Sequence, residues 1–230
     1  MDVLCWRHEQ HLYFLHIVVL VYAALPVTRA FLRRADEKTI RYALALWAFS
    51  GVLLPTARAL GLLFWLDGIP VQWALSLTWS SIGCTTLGWR LRKKPLRAGT
   101  SIALVLLGFA ICYVGTAVLS IRKGTLAPQL LEGLSPGPLM MAIGIFCLCE
   151  VLAPKLPNVL QRTAETFGKA SFGIYLAHEF ALSAFRVFGM TTWFASPLIS
   201  IPALAFACLL LTFMGVFVMS KIPIVRRWLI

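Results

Sequence analysis

A short stretch near the carboxyl end of the chain carries the side chains best suited to chemistry. Ser171, Tyr175 and His178 are spaced at i, i+4 and i+7, which places them on one stripe of an α-helix. Glu179 is rotated by about 100° from His178 around the same axis. Ionisable groups at membrane depth are costly, so each is a candidate for function. The stripe predicts a site for proton transfer or polar-substrate binding, or else a hydrogen-bonded seam between helices.

Two further ionisable residues lie at the ends of apolar runs. Arg58 follows Pro55 where the second run ends, and its guanidinium suits either an anionic substrate group or lipid headgroups. His16 lies about one turn inside the first run. Together with the stripe they make the candidate pocket, which comprises His178, Tyr175, Ser171, Glu179, Arg58 and His16.

The elements that position these residues are membrane-spanning helices. Of the 230 residues, 60% are hydrophobic and 13% charged, against roughly 45–50% and 25% in soluble domains. In lipid every backbone polar group must be paired within its segment, so long apolar runs are helices. The sequence therefore predicts an all-α, polytopic transmembrane bundle that forms one domain over residues 1–230. About seven spans are expected, at residues 12–27, 42–55, 71–89, 101–121, 138–153, 171–188 and 198–219.

The basic residues alternate with these runs. The net charge is +12, and 16 of the 21 Lys and Arg residues fall in loops on one side of the predicted membrane. By the positive-inside rule that side is cytoplasmic, which predicts an N-out, C-in topology. The charges flank apolar runs instead of forming one basic face, so no nucleic-acid partner is expected. The loop at residues 154–170 is predicted to be amphipathic in parts and to lie at headgroup level.

Metal and cofactor motifs are missing from the sequence. HEQH at residues 8–11 is one residue too short to place both histidines on one helix face, as a zinc protease requires. The six cysteines include no C-x-x-C pair, and nearly all lie in or at the edge of apolar runs, where they are typical small buried side chains. No bound cofactor and no metal site are predicted.

Three stretches carry a family resemblance. HLYFL at residues 11–15, followed by VYAALP at residues 21–26, resembles the HLWFL helix of the acyltransferase-3 family of membrane O-acyltransferases. SFGIYLAH at residues 171–178 is similar to that family's S-[YF]-G-I-Y-L-x-H helix, and KIPIVRR at residues 221–227 to its usual ending. Tyr13 stands where the family has Trp.

The resemblance implies a function. The family transfers acyl groups from cytoplasmic acyl-CoA to hydroxyls of carbohydrates or lipids of the bacterial envelope, through about ten helices of the cytoplasmic membrane. Its signature basic residue and catalytic His lie in a first helix that has no counterpart here. The expectation is thus a chain equivalent to the C-terminal two-thirds of the enzyme, inactive alone and with its primary base unknown. His178, Tyr175 and Arg58 would then be supporting pocket residues.

Two other functions fit the same residues. A transporter or flippase for an envelope glycan or lipid could use the buried polar stripe as its pathway. A non-catalytic membrane scaffold would use the stripe only to hold helices together.

Overall fold

The computed structural model describes residues 13–62, 72–190, 192 and 195–222, and its regular elements in these ranges are all helices. The predicted all-α class is confirmed. HEQH at residues 8–11 and the greater part of the ending at 221–227 lie outside the described residues. The α-helices are α1 (Tyr13–Arg34), α2 (Glu37–Ala48), α3 (Leu54–Ala59), α4 (Leu77–Lys93), α5 (Ala98–Ala110), α6 (Thr116–Lys123), α7 (Pro136–Leu152), α8 (Asn158–Val187) and α9 (Pro197–Met219).

Several of these helices join into longer rods. α2 continues into α3 through a π-helical segment, Phe49–Leu53, and α5 continues into α6 through another, Ile111–Gly115. Five stretches of the described chain are long and apolar enough to cross a membrane: Tyr13–Arg34, Glu37–Ala59, Ala98–Lys123, Pro136–Lys155 and Pro197–Met219. Apolar side chains cover their outer surfaces, as expected where the surrounding solvent is lipid.

The other two predicted spans have a different character. α4 is only 17 residues long and ends in Arg90, Arg92 and Lys93. α8 is one continuous 30-residue helix that includes most of the segment predicted as a headgroup-level loop. Pro157 is the last proline before α8, and no proline follows until the helix ends, so nothing interrupts the backbone hydrogen bonds.

The described helices form two compact units, Tyr13–Lys155 and the described residues from Leu156 onward. In the first unit, α5 and α7 pack antiparallel through small residues. A Cβ added to Gly108 would lie 2.6 Å from the Gly137 carbonyl, and one added to Gly144 would lie 2.5 Å from the Ser101 carbonyl. The two backbones can approach this closely only because neither glycine carries a side chain, which is how membrane helices commonly associate.

A buried polar contact joins the α2 rod to α4 in the same unit. The indole Nε1 of Trp47 donates to the carbonyl of Ser80 at 2.7 Å, and Ser80 Oγ donates to the Gly51 carbonyl at 3.0 Å. Ser80 is fully buried. Gly83, one turn further along α4, leaves the space that the Trp47 ring occupies.

Charged contacts gather at one end of this unit. Glu37, at the start of α2, accepts from Arg90 Nη2 at 2.6 Å and from Arg90 Nε at 3.0 Å. Asp36 caps α2 by accepting from the backbone N–H of Thr39 at 2.8 Å. Arg and Lys residues of the last turns of α1 and α4, and Arg97 at the start of α5, lie at the same end. We call this the basic end.

The second unit is an antiparallel pair of α8 and α9. Phe167 stacks on Phe213 with ring centroids 4.3 Å apart, and a Cβ on Gly173 would lie 2.8 Å from a methyl of Val216. Cys208 Sγ lies 3.7 Å from the His178 carbonyl further along the pair. α9 thus contacts α8 through Cys208, Phe213 and Val216.

Candidate functional site

The three residues of the predicted polar stripe and the neighbouring Glu179 all lie on α8, but their surroundings differ. Ser171 is exposed, and its hydroxyl donates to the Gly168 carbonyl at 2.7 Å. A hydroxyl that bonds to its own helix turn is engaged locally. Ser171 is therefore the least suited of the four to a pocket role, whereas Tyr175, His178 and Glu179 are half-buried.

His178 and Tyr175 form the chemically distinctive pair of the stripe. His178 Nδ1 lies 2.5 Å from the backbone carbonyl of Tyr175, and the two rings are tilted with centroids 5.8 Å apart. A carbonyl oxygen only accepts hydrogen bonds, so in the neutral imidazole Nδ1 carries the proton and Nε2 carries the lone pair. This arrangement sets both the tautomer and the ring orientation that a general base or hydrogen-bond acceptor requires.

Glu179 belongs to a different face of α8. Its Oε1 lies 3.3 Å from Nη2 of Arg186, two turns along the helix, and 71% of the Arg186 side chain is exposed. The ion pair turns the Glu179 carboxylate toward the C-terminal end of α8. Exposed pairs of this kind contribute little to stability, so the effect of Arg186 is to orient Glu179.

Arg58 and His16 lie in the other compact unit. Arg58 is exposed on α3, and His16 is half-buried in the second turn of α1. The six residues of the predicted pocket are therefore divided between the two units, four on α8 and these two in the first unit. Within the first unit, neither Arg58 nor His16 is among the residues that line the cavity described next.

That cavity, which we call the polar cavity, was not predicted from the sequence. It has a volume of about 300 Å³ and lies at the end of the first unit opposite the basic end. It is lined by the π-helical segment Phe49–Leu53 and α3, by Leu75 and Leu77 at the start of α4, and by the connection between α6 and α7. Its polar lining residues are Thr56, Gln129, Glu132 and Ser135.

The hydrogen bonds of the polar cavity leave it rich in acceptors. Thr56 Oγ1 donates to the Val52 carbonyl at 2.7 Å, and Ser135 Oγ donates to the Leu130 carbonyl at 2.9 Å, so both hydroxyl protons are engaged. Gln129 Oε1 is buried without a donor among the described residues. A signal was present in the sequence: residues 124–135 form a long connection with polar side chains, and long connections often carry function.

No group of three or more His, Cys, Asp or Glu that could hold a metal ion occurs in the part of the chain that the structure describes. The His178–Tyr175 pair and the polar cavity are the candidate sites that the geometry offers. Long apolar helices with a few buried polar groups define an integral membrane protein.

Comparison with known sequences identifies the kind of membrane protein. The sequence model of the acyltransferase-3 family, described as an acyltransferase domain, matches residues 5–220. The chain belongs to this family, as the SFGIYLAH and HLYFL stretches predicted. No curated protein and no solved structure matches the chain.

Proposed function

We propose that this protein takes part in membrane O-acyl transfer, moving an acetyl or similar acyl group from acyl-CoA to a hydroxyl of an envelope carbohydrate or lipid. The observation that carries the proposal is the family match over residues 5–220. The membrane-spanning helices and the acyltransferase class follow from the structure and that match. Acyl-CoA as donor, the hydroxylated acceptor and the bacterial cytoplasmic membrane belong to the proposal.

In this reaction the acceptor oxygen attacks the thioester carbonyl carbon, the hydroxyl proton passes to a base, and the carbon–sulfur bond breaks. The coenzyme A thiolate leaves and takes up a proton. His178 is suited to a supporting part, because Nδ1–H is directed to the Tyr175 carbonyl and Nε2 is the acceptor nitrogen. We assign it to orienting the acceptor hydroxyl, and the primary base remains unassigned.

The test uses membranes from cells with the gene intact or deleted, supplied with radiolabelled acetyl-CoA. We expect label to enter a carbohydrate or lipid fraction as an ester that hydroxylamine cleaves, only where the gene is present. Equal labelling in both membranes would contradict the proposal. Movement of a glycan or lipid across the membrane without any acyl donor would instead support the transporter or flippase.

A variant pair tests the part of His178. His178→Ala removes the oriented imidazole and should lower acyl transfer at least ten-fold. The effect should appear as a lower kcat or a higher KM for the acceptor, together with a changed pH profile. Ser183→Ala changes an exposed residue on the same helix and should leave the rate unchanged. Equal rates for the two variants, at equal protein levels, would remove His178 from the site.

A further inference from the structure

A second cavity adjoins the polar cavity and extends it along the membrane-facing helices. This apolar groove has a volume of about 320 Å³ and runs between α4 and α7. Its α4 wall is one helix face, formed by Cys84, Leu87, Gly88 and Leu91. Its α7 wall is formed by Pro138, Leu139, Ala142, Ile143 and Phe146.

The apolar groove and the polar cavity share two lining residues, Gly133 and Leu134. The two cavities are therefore adjacent, with a polar head region at the end opposite the basic residues and an apolar tail region beside it. Cys84 to Leu91 covers about 10 Å along α4, roughly a third of the hydrocarbon thickness. This length suits one segment of a lipid chain.

The chemistry of the head region selects the head group. Its polar groups include the carboxylate of Glu132 and the lone pairs of two hydroxyls whose protons bond elsewhere. The Gln129 amide adds two N–H donors and a buried oxygen. None of the described residues that line the head region is Lys, Arg or His, so a phosphate would meet the like charge of Glu132 and no cation among them. Sugar hydroxyls, in contrast, would donate to the Glu132 carboxylate and to the two hydroxyl oxygens.

We propose that the two adjacent cavities bind a lipid with an uncharged, polyhydroxylated head group, its head in the polar cavity and one chain in the apolar groove. The exposed carboxylate of Glu132 then accepts hydrogen bonds from the head-group hydroxyls. The polar cavity has a volume of about 300 Å³, at the lower end of the range for ligand pockets, which suits a head group of one monosaccharide. That this lipid is the acyl acceptor rests on the proposed function, but its binding does not.

The experiment is photo-crosslinking in phosphatidylcholine vesicles that contain monoglucosyl diacylglycerol with a photoactivatable acyl chain. We expect labelled peptides from α4 and α7. Unlabelled monoglucosyl diacylglycerol should compete at least ten-fold better than phosphatidylglycerol. Labelling spread evenly over the lipid-facing helices, or equal competition by the two lipids, would mean an ordinary surrounding lipid and would overturn the proposal.

Gly88→Leu and Gly215→Leu make a matched pair. A Cβ at either glycine meets nothing within 4 Å, so neither change should disturb folding. Gly88 lines the apolar groove and Gly215 lies on α9, outside it. We expect Gly88→Leu to lower labelling of α4 and α7 at least five-fold and Gly215→Leu to leave it unchanged. Equal labelling of the two variants would sink the groove assignment.

The head region has its own variant. Glu132 is exposed, so Glu132→Gln should fold normally, and loss of its charge should weaken competition by the glucosyl lipid at least three-fold. Unchanged competition would exclude this head region. The crosslinking assay contains no acyl donor, so it tests lipid binding separately from acyl transfer. Selective binding without acyl transfer from radiolabelled acetyl-CoA would support the lipid site and contradict the proposed function. Acyl transfer without selective binding would support the proposed function and contradict the lipid site.

Discussion

The hydroxyl of Ser80 donates to the backbone carbonyl of Gly51 at 3.0 Å, across the interface between α4 and the α2 rod. The reason is Pro55, which has no N–H to offer Gly51, four residues earlier, or Ser50, five residues earlier. The Ser50 carbonyl accepts instead from the N–H of Leu75 at 2.9 Å. The two carbonyls that Pro55 leaves without a donor thus accept hydrogen bonds from Ser80 and Leu75, as burial in a membrane requires.

Replacing Ser80 by Ala should therefore destabilise the first unit. The Gly51 carbonyl would be buried without a donor, at a cost of about 1–3 kcal/mol. Thermal stability in detergent, followed by fluorescence-detected size exclusion, measures the loss. Ser81→Ala is the control, because the Ser81 hydroxyl donates within its own helix, to the Leu77 carbonyl at 2.7 Å. Equal melting temperatures for the two variants would show that the Ser80 bond is dispensable.

The close approach of α5 and α7 predicts a strong effect of side-chain size at Gly144. A Cβ there would lie 2.5 Å from a backbone carbonyl, which cannot move aside as a side-chain tip could. Gly144→Leu should cost at least about 1–3 kcal/mol by overpacking. Gly99→Leu on α5, where nothing lies within 4 Å of the added Cβ, should be tolerated. Denaturation in the same detergent compares them, and similar midpoints would contradict the packing.

The pair of Glu37 and Arg90 should contribute modestly to stability. Two nitrogens of Arg90 donate to one oxygen of Glu37, but the two side chains are 26% and 37% exposed. Solvent screening keeps the contribution of such a pair small. We expect Arg90→Met to lower the melting temperature slightly and less so at high salt, whereas Arg92→Met, which changes an exposed residue of the same turn, should not. A loss independent of salt would point to packing instead.

The cap of α2 predicts an acid-dependent contribution from Asp36. Hydrogen bonds from the side chain and the backbone N–H of Thr39 lower the pKa of Asp36 below its ordinary value. A carboxyl with a depressed folded-state pKa stabilises the fold above its unfolded pKa of about 3.9 and loses that effect as the pH falls through the folded value.

Asp36→Asn tests this contribution, because Asn still caps a helix but does not titrate. Melting curves of the wild type and of Asp36→Asn, recorded from pH 7 to pH 3, should stay parallel above about pH 5 and converge below it. Curves that remain parallel down to pH 3 would show that the Asp36 charge has no part in the cap.

Family membership and the helical class could be predicted from the sequence, because both are local properties. Long apolar runs must be helices in lipid whatever they pack against, and SFGIYLAH is a contiguous motif. The spacing of Ser171, Tyr175 and His178 likewise follows from helix geometry alone. The extent of α8 was missed because its first half is polar and lacks the apolar signal by which the spans were predicted.

The polar cavity and the apolar groove could not be predicted, since each combines segments far apart in the chain. Thr56, Gln129 and Ser135 meet only because α3 and the connection after α6 reach the same end of the first unit. The sequence by itself determined that this is a helical membrane protein of the acyltransferase-3 family, through local hydropathy and a short motif. The tertiary structure alone decided which groups satisfy the carbonyls that Pro55 leaves without a donor and where acceptors line a cavity, because these depend on distances between separate helices.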